Sequence, residues 1–319
     1  MRQPVAILLA LVVLAVLPTL AAWAGSPATV PLATRILIYG IAAASLNFAL
    51  GYGGMISFGH AAFFGIGGYV VAILFTHWFN EAPIFGLIPG TNQLLITLPL
   101  AIVVSGLFAA AIGALSLRTG GVQFIMITLA FAQMLFFLFV SLKAYGGEDG
   151  LSMRRPDAFL GLNLRDRPTM YYLTLVITVL FFAGLRRLVR SSFGTVLDGI
   201  RQNERRMEAL GIATYRHKLF AFILSGMGVG MAGALMANAM RYVSPDMMHW
   251  SRSGELMIMV ILGGTGTLLG PLYGAAALLL LETWLAGWTE HWSLGEGLVL
   301  LAVVMFSRGG LIALLRRRT

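Results

Sequence analysis

The chain is predicted to be an all-α, polytopic transmembrane helical bundle of about ten spans, with N and C termini cytoplasmic. Three observations predict it. Of 319 residues, 58% are apolar and only 11% charged, and the mean hydropathy is +0.85, far from soluble averages. No Asp, Glu, Lys or Arg occurs in residues 3–34, 36–80, 82–117, 119–142, 219–240 or 256–281, and a bilayer helix needs about 20 such residues. These runs lack the ~10-residue alternation of a membrane β-barrel. A soluble enzyme, a disordered chain and a barrel are thereby excluded.

Arg2 precedes an apolar run, 5–22, that is too long for a signal h-region of ~7–15 residues. It is read as a retained first helix, with Pro18 as a tolerated kink. The run 36–80 exceeds one span and holds Gly51-Tyr52-Gly53-Gly54, so two helices are expected near 35–50 and 60–79. Spans near 94–117, 122–142, 170–186 and 219–240 follow. Residues 253–307 are divided by Gly263-Gly264-Thr265-Gly266 with Gly270-Pro271, and by a polar patch at 289–293. Three spans of about 18 residues fit there, the last interrupted by Glu296.

The 22 basic and 13 acidic residues give a net +9. The basic ones concentrate at 186–218, at Arg308 and at Arg316, Arg317 and Arg318, flanking apolar runs as cytoplasmic loops do. They are read as topology signals, and no nucleic-acid partner is expected. The loop 80–93 has no Lys or Arg and falls outside. With ten spans every strong signal agrees, whereas a single helix over 253–285 would export the basic tail. The loop 143–169 carries five basic and four acidic residues and is expected to be a solvated connector. Residues 1–319 then form one transmembrane domain.

Chemistry is sparse. With no cysteine, disulfides and thiol catalysis are excluded. His60, His77, His217, His249 and His291 have no ligand spacing, so no metal site is expected. Lys143 and Lys218 lie in no phosphate-loop motif. No catalytic residue and no cofactor are expected. Arg35, Arg118, Glu255, Glu282 and Glu296 are read as lying near span ends, which leaves Asn47, Gln133 and Asn238 as the mid-span polar groups. An ion-driven carrier would place charges deep in the bundle. What remains is a gated path lacking its own engine.

Glycine, 38 of 319 residues, clusters within apolar spans. Gly65, Gly67, Gly68, Gly113, Gly226, Gly228, Gly230 and Gly233 suit close helix packing. Two compound breaks differ, because they add hydroxyls or proline to glycine: one runs from Gly51 to His60, the other from Gly263 to Pro271. Interrupted helices expose backbone polar groups, tolerated in a membrane only beside protein or a watery cavity. Candidate path residues are therefore Asn47, Gly51, Tyr52, Gly53, Gly54, Ser57, Phe58 and His60, with Gly263, Gly264, Thr265, Gly266, Gly270 and Pro271. Two tight cytoplasmic turns are the simpler reading. No internal repeat relates the breaks, since one follows span two and the other span eight.

Between 191 and 218, Phe193, Val196, Leu197, Ile200, Met207 and Leu210 recur at near-helical spacing. A short amphipathic helix is predicted, capped by Ser192 and ended by Gly211. It would fill a groove in a soluble partner or lie on the lipid surface.

At this loop, Gly199-Ile200-Arg201-Gln202-Asn203-Glu204 through Glu208-Ala209-Leu210-Gly211-Ile212 resembles the coupling segment of permease subunits of branched-chain amino acid ABC importers, the LivM-type family. Leu46-Asn47-Phe48-Ala49-Leu50-Gly51-Tyr52-Gly53-Gly54 running on to Ser57-Phe58-Gly59-His60 is similar to its early signature. Thr128-Leu129-Ala130-Phe131-Ala132-Gln133 and Met259-Val260-Ile261-Leu262-Gly263-Gly264-Thr265-Gly266-Thr267 continue the likeness in order. The resemblance implies a bacterial plasma (inner) membrane permease that carries branched-chain or related amino acids. Its implied partners are a second homologous permease subunit, two cytoplasmic ATPase subunits, an extracytoplasmic substrate-binding protein and membrane lipid. The implied ATPase-coupling residues are Ser192, Phe193, Gly194, Arg201, Glu204, Glu208, Ala209 and Gly211. Arg206 and Met207 depart from the family, which carries two small residues there. A related importer of urea or short-chain amides, and a stand-alone secondary transporter or channel, are the alternatives.

Overall fold

The computed structural model describes residues 14–21, 23, 25, 28–83, 89–288, 294, 295, 297, 298 and 301. Arg2, most of the predicted first span, the patch 289–293, Glu296 with the last predicted span, Arg308 and the basic tail lie outside the described residues. Ten helices carry the described fold: α1 Thr29–Asn47, α2 His60–Phe79, α3 Leu94–Ser116, α4 Val122–Ser141, α5 Arg167–Val189, α6 Ser192–Gln202, α7 Glu204–Ala209, α8 Thr214–Met240, α9 Trp250–Gly263 and α10 Gly270–Ala286. Without water, a backbone satisfies its polar groups only within a helix or closed barrel, and the apolar runs take the first course. Among the described residues, six helices (α1 with its extension to Tyr52, α2, α3, α4, α5 and α8) are long and apolar enough to cross a membrane. The stretch 253–285 forms two shorter helices, α9 of 14 residues and α10 of 17.

α8 is the axis, packing most extensively against α2, α3 and α1. Its glycines allow this. A Cβ on Gly233 would overlap the Phe64 carbonyl, and one on Gly67 would overlap the Gly230 carbonyl, so α2 and α8 meet backbone to backbone. α10 and α9 pack on the other side of α1, and α5 covers α1 together with the helical residues 14–21, where the Tyr171 hydroxyl donates to the Leu14 carbonyl at 2.7 Å. α3, α4 and α5 turn large apolar side chains outward, among them Leu107, Phe137 and Leu180, as lipid-facing helices do.

The expectation of a solvated connector after α4 is corrected. Leu151–Ser152 (β1) pairs antiparallel with Tyr242–Val243 (β2). The Arg154 and Arg155 guanidinium groups lie 4.7 and 4.5 Å over the rings of Phe79 and Trp78. Asp157 is buried: its Oδ2 accepts from the Thr97 hydroxyl at 2.6 Å, and its N–H donates to Asn238 Oδ1 at 2.8 Å. A cap thus closes the end opposite residues 190–213. Charge counting missed it because cation–π contacts and one buried carboxylate hold the loop down.

Burial pushes the Asp157 carboxyl up to about 6 from its ordinary 3.8. The folded state therefore holds this proton more tightly than the unfolded state does. Its contribution is most favourable below the unfolded value and is lost as pH rises to about 6, by an amount on the order of 3 kcal/mol. We expect the thermal midpoint of the wild type to fall between about pH 4 and 6 relative to Asp157→Asn, which keeps the acceptor for Thr97. Parallel pH profiles would show that Asp157 is not the titrating group.

Candidate functional site

The first break differs from its prediction. The helix does not stop at Gly51: a π-helical turn, Phe48–Tyr52, carries α1 through to Tyr52, and the unwound stretch is 53–59. There Gly53, Met55, Ser57 and Gly59 face inward, while Gly54 and Ile56 are exposed and Phe58 is half-buried. This is the period-two alternation of an extended chain. Ser253 ties down its far end, its hydroxyl donating to the Phe58 carbonyl at 2.7 Å and accepting from the Ala61 N–H at 2.9 Å. The Gly59 N–H donates to Ser57 Oγ at 3.1 Å. Among the described residues, no hydrogen bond within the chain reaches the N–H groups of Ile56, Ser57 or Phe58.

His60 opens α2 rather than lying in the break, and it is fully buried. The Ser225 hydroxyl donates its one hydrogen to the Ser45 carbonyl at 2.5 Å, so His60 Nε2 must donate to Ser225 Oγ at 2.9 Å. Phe63 and Phe222 flank the ring edge-on. Ser225 lies eleven positions into α8, about 16 Å along its axis at a rise of 1.5 Å per residue. The unwound stretch therefore climbs from one end of the bundle to its middle, which a tight turn does not do.

The second break is 264–269. Gly263 is the last residue of α9, and Gly270 and Pro271 form the first turn of α10, where proline loses no hydrogen bond. Gly264 and Gly266 have φ of 114° and 71°, conformations that L side chains rarely adopt. Thr267 Oγ1 donates to the Gly264 carbonyl at 2.7 Å; Thr265 is exposed.

The two breaks touch. Asn47 Oδ1 accepts from the Gly266 N–H at 2.9 Å, and its Nδ2 donates to the Thr267 carbonyl at 2.8 Å. A Cβ at Gly51 would overlap Asn47 Oδ1 and lie 2.5 Å from Gly266 N. Segments more than two hundred residues apart are thus joined by one buried carboxamide, and only glycine fits between them.

The loop 190–213 sits directly on this junction. It forms two helices where one was predicted, because Asn203 turns extended and caps α7 by accepting from the Arg206 N–H at 3.0 Å. The α6 N-cap is Ser191 instead of Ser192, which is exposed. Gly211, at φ 82°, follows the C-cap Leu210 as predicted. The apolar face of α6 does not await a partner: Gly194, Leu197 and Ile200 are buried, and Phe193 stacks 6.3 Å from Phe48 in the π turn. Met207, one of the two departures from the family pattern, packs on Gly199.

Three contacts pin the loop. Arg201 Nη1 donates to the Gly51 carbonyl at 2.6 Å, while its Nη2 is held by Asp198 at 2.7 Å. Lys218 Nζ donates to both oxygens of Glu204 at 2.7 Å. The Thr214 hydroxyl donates to Glu208 Oε1 at 3.0 Å, and beside it the Tyr215 hydroxyl ties the start of α8 to α3 by donating to the Ala114 carbonyl at 2.8 Å. The tip, Ala209 to Gly211, stays exposed, with Leu210 at 70%. Through Arg201 the loop that carries this tip contacts the first break directly. Spacing could not reveal the Arg201 contact, whose partner is a backbone oxygen.

Residues 28–307 match the family described as branched-chain amino acid transport system / permease component. The chain belongs to this family. It is 29% identical to the high-affinity branched-chain amino acid transport system permease protein LivM of Escherichia coli (strain K12), over 97% of this chain and 75% of that protein. The protein of the same name from Salmonella typhimurium is 28% identical, over 91% and 71%. The autoinducer 2 import system permease protein LsrC of Klebsiella pneumoniae is 30% identical over half of this chain and 46% of its own length. No solved structure matches the chain. A permease component of this family works in the membrane beside other subunits of its ABC transporter, and six helices among the described residues are long and apolar enough to cross one.

Proposed function

We propose that the chain is a permease subunit of an ABC importer in the bacterial plasma membrane, moving branched-chain or related amino acids. Residues 1–319 act as a single transmembrane domain of about ten spans with both termini inside. Two separate cytoplasmic ATPases drive it, a second homologous permease completes the path, and an extracytoplasmic binding protein delivers the solute. The contact that carries this reading is Arg201 on the Gly51 carbonyl. It links the loop 191–218, read as the ATPase docking element, to the unwound stretch 53–59, read as the path lining. Free N–H groups there suit a wet passage. Partners can shift the bundle only by favouring one of its states, and the pinned loop supplies the lever.

Reconstitution tests it. Labelled leucine uptake into proteoliposomes is expected only with both permeases, ATP, the ATPases and the binding protein present. Uptake by this chain alone, driven by an ion gradient, would replace the importer with a secondary carrier. The relatives' names favour neither that alternative nor a urea or amide importer.

A further inference from the structure

Opposite the loop 190–213, the bundle holds an open cavity of about 380 Å³ between α1, α2, α8 and α9, within the size range of small-molecule sites. Its floor is Ala61, just beyond the unwound stretch, and Ser244 and Tyr242 stand at the other end. Apolar walls come from Phe64, Leu256 and the flexible side chains of Met236, Met240 and Met247. The remaining wall is polar, with the cations Arg35 and Arg252 and the neutral phenol of Tyr39. The sequence placed Arg35 near a span end, but α1 starts at Thr29, which brings it inside the helix.

The two arginines are not equivalent. Arg252 is committed, its Nη1 lying 2.8 and 3.1 Å from the two Glu255 oxygens. Arg35 comes only within 3.9 Å of Glu282, and its buried Nε has no hydrogen-bond partner. Both carboxylates lie behind the arginines, in a neighbouring cleft of about 30 Å³, too small for anything much larger than water. Glu255 and Glu282 line that cleft and not the cavity, so the side turned to the cavity is cationic. The terminal Nη groups of Arg35, a partly exposed side chain met only loosely by Glu282, can give an arriving carboxylate a charge-assisted bond in the geometry that arginine favours.

We propose that this cavity is a way-station for a carboxylate borne on an aliphatic body: Arg35 anchors the carboxylate and the methionine wall adapts to the apolar part. For identifying the solute as an amino acid, it rests on the importer reading above. Position supports the role, because a solute held here is next to Ala61 and the start of the path.

The test is equilibrium binding of labelled leucine to the full chain in nanodiscs of phosphatidylcholine only, which supply no lipid carboxylate. Leucine and 4-methylpentanoate should compete, and leucinamide should not. Arg35→Gln should weaken binding at least about tenfold, with partial rescue by Arg35→Lys. Glu282→Gln should tighten it by removing the rival anion. Equal competition by leucinamide, unchanged binding in Arg35→Gln, or no leucine binding up to about 1 mM would each overturn the site. The two readings fail separately: loss of ATP-driven uptake with carboxylate-dependent binding intact sinks the importer and spares the site, and the reverse result spares the importer.

Discussion

Alanine at Gly51 is expected to abolish ATP-driven uptake while leaving the chain folded and inserted. The added Cβ would overlap Asn47 Oδ1 and meet the Gly266 backbone nitrogen at 2.5 Å. No side-chain rotation relieves a clash with backbone, so either the π turn shifts or the loop 264–269 lifts away. Either movement breaks the two hydrogen bonds of Asn47, each worth about 1–3 kcal/mol once a buried partner is left unpaired. That is enough to change a two-state equilibrium by more than about tenfold. The helices that hold the fold together are untouched. The telling readout is solute moved per ATP hydrolysed: hydrolysis should persist while uptake collapses. Arg201→Ala should give the same uncoupling in milder form, because it removes the bond to the Gly51 carbonyl and an exposed ion pair with Asp198 but leaves the Asn47 junction in place. Full coupling in Gly51→Ala would mean that the junction of the two breaks transmits nothing.

Valine at Gly233 should instead prevent folding. A Cβ there overlaps the Phe64 carbonyl, and the neighbouring contact of Gly67 with the Gly230 carbonyl is as close. α2 and α8 would have to part along their length, opening the core between Phe63, Phe222 and Val229. The cost should exceed about 4 kcal/mol, the range of severe overpacking, and appear as loss of monodisperse protein after extraction. Gly184 supplies the internal control. Nothing lies within 4 Å of a Cβ at that site on α5, so Gly184→Ala should be neutral or slightly stabilising. Similar losses in both variants would show that general glycine loss, rather than the α2–α8 contact, is responsible.

Much of the helical framework was legible because it obeys one local rule. A charge-free run long enough to span a bilayer has no alternative to satisfying its backbone as a helix. The run 60–79 coincides with α2, and the split of 253–285 into two helices follows from its glycines and Pro271. Glycine spacing pointed to close packing but not to the partner of each glycine. At the site, sequence grouped Asn47, Gly51 and Gly266 as path candidates and assigned Arg201 to the coupling loop, but gave no sign of the contacts that join them. Nor did it show that Arg35 enters α1, that α6 buries its own apolar face, or that Asp157 locks down a loop rich in charge.

Local composition, then, determined by itself that this is a membrane protein of long apolar helices, interrupted twice and carrying one basic amphipathic loop. Each of those properties depends on a residue and its near neighbours along the chain. Tertiary structure alone decided that the two interruptions share one carboxamide, that the loop rests on them through Arg201, and that a loosely paired arginine lines a cavity. Those are contacts between backbone carbonyls, amides and side chains far apart in sequence. Their partners are set by how helices cross in space, which no periodicity encodes.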